Sequence, residues 1–391
     1  MIGMNVSIYT LVSPLHDPVA TRRVAGEFLD AVRGHCVSCT LVDCGSDFST
    51  FGTSDLDLVY VVTGGTEGLF LEALPQIQGH VHILTSGKSN SLAASMEILS
   101  YLKQVGRSGE IIHGSAEYVA ARVELLARVE RGRKRLAGGL RLGVIGEPSD
   151  WLIASHPDGK VLREKLGVEL VRVPMTDLIA KLEGIPQDPM EGAEYIYKVL
   201  KGIVVEKNLQ GLTLRCFDLL DTIRNTGCLA LARLNAEGIP ASCEGDIPAL
   251  VTMAIGHSLT GQCGFQANPS RIDPATGEYL FAHCTVPLDM VSSYGYATHF
   301  ESGIGVAIRG VLPEGNATIF KIAGDLSRYF VTPAQLLRNQ AEEGLCRTQV
   351  VLRAEGVSDY FLKGPVGNHH LIFCGDYAEV FREFMDKIRS I

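Results

Sequence analysis

Short apolar runs alternate with amphipathic stretches through the first third of the chain. Runs at 6–11, 39–42, 58–63, 81–85 and 111–113 have strand length, and the stretches at 17–32, 91–104 and 116–129 carry apolar residues at helical spacing. Strands separated by helices of that length predict a parallel sheet with crossover helices on both faces, since parallel neighbours cannot be joined by a tight turn. The basic segment Arg131, Arg133, Lys134 and Arg135, closed by Gly138 and Gly139, reads as a solvated helix end entering a linker, with an anion site as the alternative. The pattern then restarts, with strand-like runs at 142–145, 168–173 and 212–215 and helical ones at 192–207, 226–237 and 248–259. After Gly261 the texture changes to β stretches at 279–286, 303–308, 317–322 and 348–353 with Gly and Pro turns between them, which predicts a small antiparallel sheet or barrel. The expected fold is α/β: two doubly wound open-sheet domains, 1–138 and 139–286, followed by a β-rich C-terminal region, 287–391, with a closing helix at 376–388.

Composition narrows the functional classes. With 391 residues, 46% hydrophobic and 20% charged, the chain has the make-up of a folded protein of two to three domains. A net charge of -9 argues against a partner held by its phosphate backbone, because such binding needs clustered Lys and Arg. Apolar runs such as 58–62 and 371–374 are far too short to cross a bilayer. No basic region leads into an apolar run with a small-residue cleavage site at the N-terminus, so a cytoplasmic location is expected. The ten cysteines lie scattered, several in apolar runs, and are expected to be reduced thiols.

Several motifs compete for chemistry. The glycine turns at 63–68 and 143–146 follow strands, yet neither fits a dinucleotide fingerprint or a phosphate loop with its lysine. Glu67 and Glu147 beyond them sit where open sheets bind ligands, or serve equally as first-turn carboxylates of a helix. Cys36 and Cys39 have redox spacing, but strand alternation points them to opposite faces. The stronger set begins at Cys243-Glu244-Gly245-Asp246, where two acids stand between an apolar strand and a helix. Asp246 also suits a helix cap, a reading Glu244 lacks. Gly367-Asn368-His369-His370 adds an amide and two imidazoles before another strand, with His283 and His299 in between. Carboxylate, amide and imidazole together make a ligand set suited to Mn2+, Mg2+ or Co2+.

The order of these motifs carries a resemblance. Glu244-Gly245-Asp246, Leu259-Thr260-Gly261, Phe265-Gln266-Ala267-Asn268, Leu280-Phe281-Ala282-His283-Cys284 and Asn368-His369, together with the segment at 142–151, resemble the L-fucose isomerase and L-arabinose isomerase family. The resemblance implies a fucose-isomerase-like fold and a metal-dependent interconversion of aldose and ketose through an enediol. It implies a metal held by Glu244, Asn268 and His369, with Asn268 standing where the family has an aspartate. It implies Glu244 and Asp246 as acid–base residues, and Asn368, His283 and His299 as substrate contacts. A sugar substrate and a homo-oligomer, trimer or hexamer, follow from the same likeness. A sugar-binding or regulatory protein that kept the fold and lost the chemistry is the other reading, and Asn268 is the feature in its favour.

Overall fold

The computed structural model describes residues 3–389, which form two compact units, one ending at Lys134 and the other starting at Arg135. In the first, the elements run β1 (Met4–Leu11), α1 (Pro18–His35), β2 (Cys39–Gly45), β3 (Leu56–Val61), α2 (Glu67–Ala73), β4 (Val81–Thr85), α3 (Ser91–Gln104), β5 (Gly109–Ile112) and α4 (Ala116–Ala137). The sheet is parallel with order β2-β1-β3-β4-β5. Its strands are buried on both faces: Leu58 and Tyr60 join one core, while Val59 and Val61 join the other. That is why they read as continuous apolar runs rather than alternating ones. Helix α4 runs through the basic segment and past the unit boundary to Ala137, and only Gly138 and Gly139, the latter at φ +90°, precede the next strand.

The second unit opens with β6 (Leu140–Ile145), α5 (Gly159–Leu166), β7 (Val168–Val173), α6 (Met175–Lys181), α7 (Pro189–Glu206), β8 (Gly211–Leu214), α8 (Asp218–Ile223), α9 (Cys228–Ala236), β9 (Ala241–Cys243) and α10 (Ile247–Thr260). These strands form a parallel sheet of order β7-β6-β8-β9, packed through Ile145, Leu212 and Leu214 on Ile196 and Leu200 of α7.

The chain continues through β10 (Phe265–Asp273), β11 (Glu278–His283), β12 (Ser293–Ala297), β13 (Ala307–Val311), β14 (Gly315–Ile322), β15 (Tyr329–Gln340), β16 (Thr348–Arg353), α11 (Ser358–Lys363), β17 (His370–Cys374) and α12 (Ala378–Arg389). Six of these strands close a barrel in the order β10-β11-β16-β15-β14-β17, with β12 and β13 forming a separate ribbon. Phe265, Phe281, Ile319, Val350, Leu352 and Ile372 fill its interior. The boundary expected at 286/287 therefore falls inside the antiparallel region: β10 and β11 pair with each other and with β17 and β16, not with the parallel sheet. Helix α10, buried on nearly every side, lies against β14 and β17. A Cβ at Gly256 would collide with the Phe373 ring, so the glycine lets helix and strand approach closely. This close packing brings the first turn of α10 toward the start of β17.

Candidate functional site

Three strand ends converge in the second unit. Glu244 follows β9, His283 ends β11, and His369 precedes β17. Their ligand-capable atoms all lie within 4.8 Å of one another, and all three residues are buried. Glu244 Oε1 stands 3.4 Å from His369 Nε2 and 3.8 Å from His283 Nε2.

The turn that presents Glu244 is strained. Glu244 has φ +66°, a left-handed conformation that costs a non-glycine residue on the order of 1–3 kcal/mol and that gathers at functional sites. Gly245 follows at φ +70°, where a Cβ would stand 2.7 Å from the Glu147 carbonyl oxygen and Pro148 Cα. The turn is held by the Ser149 N–H donating to the Glu244 carbonyl at 3.0 Å and the Gly245 N–H donating to the Leu214 carbonyl at 3.0 Å. The second carboxylate oxygen of Glu244 accepts the indole N–H of Trp151 at 2.7 Å.

Both imidazoles are oriented from behind. Asp246 divides its carboxylate: Oδ1 caps α10 by accepting the Ala249 N–H at 2.7 Å, and Oδ2 takes His369 Nδ1 at 2.8 Å. With the proton on Nδ1, the lone pair of Nε2 faces Glu244, and this Nε2 is buried with no hydrogen-bond partner among the described residues. A carboxylate fixing the far nitrogen of a histidine is the common outer support of a metal-bound imidazole. His283 Nδ1 lies 2.9 Å from Thr285 Oγ1, which leaves its Nε2 toward the site in the same way. Lys321, 1% exposed, places Nζ 3.6 Å from Asp246 Oδ2.

Electrostatics follow from this packing. Burial alone would raise the Glu244 carboxyl, but the imidazoles of His369 and His283 outweigh it and hold the group far below the usual carboxylate range. Burial likewise opposes charge on Asp246, where Lys321 and His369 prevail and keep it low. His369 is pushed up to about 9, because Glu244 and Asp246 together overcome the desolvation that would lower it. Lys321 is lowered, its burial outweighing the pull of Asp246. Without a metal, a proton on His369 balances the carboxylates. A divalent cation shared by Glu244, His283 and His369 would replace it, and the residues present fit such an ion.

The remaining sequence candidates have the following places. Asn268 Oδ1 accepts the side-chain N–H of Asn368 at 3.1 Å, and Asn368 is exposed beside His369. His299 is buried, with Nδ1 3.0 Å from Ser302 Oγ, and a file of rings links it to Trp151, the partner of Glu244: Trp151 lies edge-on to Phe217 at 4.9 Å, and Phe217 edge-on to His299 at 5.4 Å. His370 turns into the barrel, accepts the Tyr360 hydroxyl proton at 2.8 Å, and is pushed down to about 3 by burial. Glu147 pairs with Arg172 at the surface at 2.8 Å, and Glu67 stands in the first turn of α2. Trp151, Thr285 and Lys321 were not singled out as site residues from the sequence. A lysine inside an apolar strand run was the available signal, at 319–322.

No known family profile matches the chain. No helix among the described residues is long and apolar enough to cross a membrane. The chain is similar to a protein named sulfoquinovose isomerase from Clostridium sp. (strain MSTE9), 25% identical over 53% of this chain and 49% of that protein, so this match spans about half the relative's length. Proteins of the same name from Priestia aryabhattai and Priestia megaterium (strain ATCC 12872 / QMB1551) are each 21% identical over 80% of this chain and 74% of theirs. The chain thus has sugar isomerases as its distant homologues.

Proposed function

We propose that the chain is a metal-dependent aldose–ketose isomerase acting on a sugar or sugar derivative through an enediol(ate). The observation that carries this reading is the convergence of Glu244 Oε1 with two imidazole nitrogens, one of them the buried Nε2 of His369, which has no hydrogen-bond partner among the described residues. Two nitrogens and a carboxylate suit a first-row divalent ion better than Mg2+, and the added amide oxygen of Asn268 makes Mn2+ the first candidate. When bound, the ion would polarise the substrate carbonyl and ease the build-up of negative charge on adjacent oxygens.

The chain's own residues supply the rest. Glu244, the carboxylate on the open side of His369, carries the proton between the two carbons, whereas Asp246 stands behind that imidazole, away from the proposed ion. Asp246 accordingly positions His369 rather than reacting. Asn268 is a neutral fourth ligand at the rim, and a site with one fewer anion holds its cation less tightly. Asn368 and His299 are the substrate contacts of this reading, and Trp151, 52% exposed, offers an aromatic face to a sugar ring. A homo-oligomer, trimer or hexamer, belongs to the same proposal.

The name of the relatives makes sulfoquinovose the first substrate to assay, beside a panel of aldoses, ketoses and sugar acids. Proton NMR in D2O on metal-free and Mn2+-loaded protein is expected to show a ketose forming, with deuterium entering at C1 of the ketose and at C2 of the recovered aldose, only after loading. Loaded protein that leaves every sugar unchanged would overturn the isomerase reading in favour of a sugar-binding protein.

A further inference from the structure

A second convergence of metal-capable side chains lies in the first unit, far along the sequence from the residues described above. His82 on β4 and Glu110 on β5 are direct register partners in the parallel sheet. His80 stands two residues before His82, in the bend that leads into β4. The ligand atoms of the three lie within 4.8 Å of one another. His82 Nδ1 is 3.0 Å and His80 Nε2 is 3.6 Å from the same carboxylate oxygen, Glu110 Oε1.

The surroundings set each group toward that oxygen. Arg122 donates from Nε and Nη2 to the other oxygen, Oε2, at 3.1 and 2.7 Å, fixing the carboxylate plane and leaving Oε1 to the imidazoles. His80 Nδ1 lies 3.0 Å from Ser108 Oγ. When Nδ1 donates its proton there, the lone pair of Nε2 points at an anionic oxygen, and that Nε2 is buried with no hydrogen bond among the described residues. Two lone pairs facing one another in a partly buried place repel, and a cation between them removes the repulsion. Burial opposes the charge of Glu110, yet the two imidazoles and Arg122 hold its carboxyl far below the ordinary range, so it is available as an anion. His82 is almost fully buried, whereas the His80 and Glu110 side chains are 26% and 22% exposed. A cavity of about 200 Å³ reaches both imidazoles, so an ion has a way in.

We propose that His80 Nε2, His82 Nδ1 and Glu110 Oε1 form a second divalent-metal site, of the Zn2+ class. Two nitrogens and one oxygen, with a fourth position open to the cavity, match three-ligand zinc coordination. Strand register places His82 beside Glu110, the bend before β4 brings in His80, and Arg122 orients the carboxylate. It is independent of the isomerase reading.

Zn2+ alone is the probe. The full chain, stripped with chelator, is titrated calorimetrically with Zn2+ beside His80→Asn, Glu110→Gln and His283→Asn, with circular dichroism confirming the fold of each. His80→Asn is the main variant because its ring is partly exposed and its loss leaves the sheet core intact. His80→Asn and Glu110→Gln are each expected to bind one equivalent fewer than the parent chain, and His283→Asn is expected to keep the equivalent they lose. Parental stoichiometry and affinity in His80→Asn would overturn the proposal, whatever the isomerase assay shows. A single equivalent that His283→Asn abolishes and His80→Asn retains would do so too.

Discussion

At Glu244 the backbone takes a conformation that a glutamate adopts only at a cost, and the side chain so presented is bonded on one oxygen and faces two imidazoles on the other. Strain of that kind is held in place by its surroundings, here the Ser149 and Gly245 hydrogen bonds and the glycine that no other residue can replace. Glu244→Gln keeps the shape and the Trp151 contact but removes the proton acceptor. Exchange of the substrate's C2 hydrogen with solvent, measured at saturating Mn2+ with occupancy checked, is expected to slow by roughly 10²–10⁴-fold. Parental exchange in the fully loaded variant would remove Glu244 from the role of base. At this scale the sequence drew attention to polar residues that break an apolar pattern at a strand end, Glu244, His283 and His369, although it read His283 as a substrate contact and Asn268 as the third ligand, whereas the structure brings His283 together with Glu244 and His369. The sequence marked Lys321 only as a lysine inside an apolar run: Ile319, Phe320 and Ile322 around it are buried on both faces of the strand, so no alternation shows the lysine turned toward Asp246. Trp151 was invisible as a partner of Glu244 because the contact spans 93 positions and depends on the turn geometry.

The element that organises the site is α10, and its two ends make separate predictions. At the N-terminus, Asp246 serves both as cap and as the anchor of His369. Asn caps a helix about as well as Asp but carries no charge. Asp246→Asn is therefore expected to keep the fold while weakening Mn2+ binding by about 10–100-fold, the usual cost of losing such an outer partner. Equal metal affinity in variant and parent, read by calorimetry, would mean that the Asp246 charge does not tune His369. At the C-terminal turn sits His257, where the helix dipole would favour a protonated ring. Burial and then Arg135 act the other way and win, lowering its pKa from 6.5. The folded state thus prefers the neutral imidazole. Its contribution to stability is present above about 6.5, the unfolded value, and is lost as pH falls through the lower folded value. His257→Gln should flatten the acid side of the stability–pH curve from urea melts, and an unchanged slope there would count against this account. Helices and parallel strands were legible because their periods differ and their lengths suit crossover units. The change of texture after Gly261 was legible too, yet the boundary was set at 286, since β10 follows α10 after only a short turn and its apolar first half, Phe265 to Ala267, reads like one more strand of the preceding sheet.

For the molecule as a whole, the sequence conveyed the succession of parallel sheets and an antiparallel region, which the structure shows, whereas closure of six strands into a barrel depends on pairings such as β10 with β17, about a hundred residues apart. The motif order across the second unit pointed to sugar isomerases, and the distant relatives bear that name. One feature of composition gains a use from the fold. The chain has a single tryptophan, and its indole N–H is hydrogen-bonded to Glu244, beside the proposed metal position. All tryptophan emission from this protein therefore originates at one optical probe attached to the site. Mn2+, with its unpaired electrons, should quench that emission in a saturable titration, whereas diamagnetic Mg2+ should leave most of it; the Mn2+ response should weaken in Glu244→Gln and persist in His80→Asn. Emission indifferent to Mn2+ would mean that no such ion settles beside Trp151. Occupancy of the centre can thus be followed in the unlabelled protein, in real time, by light alone.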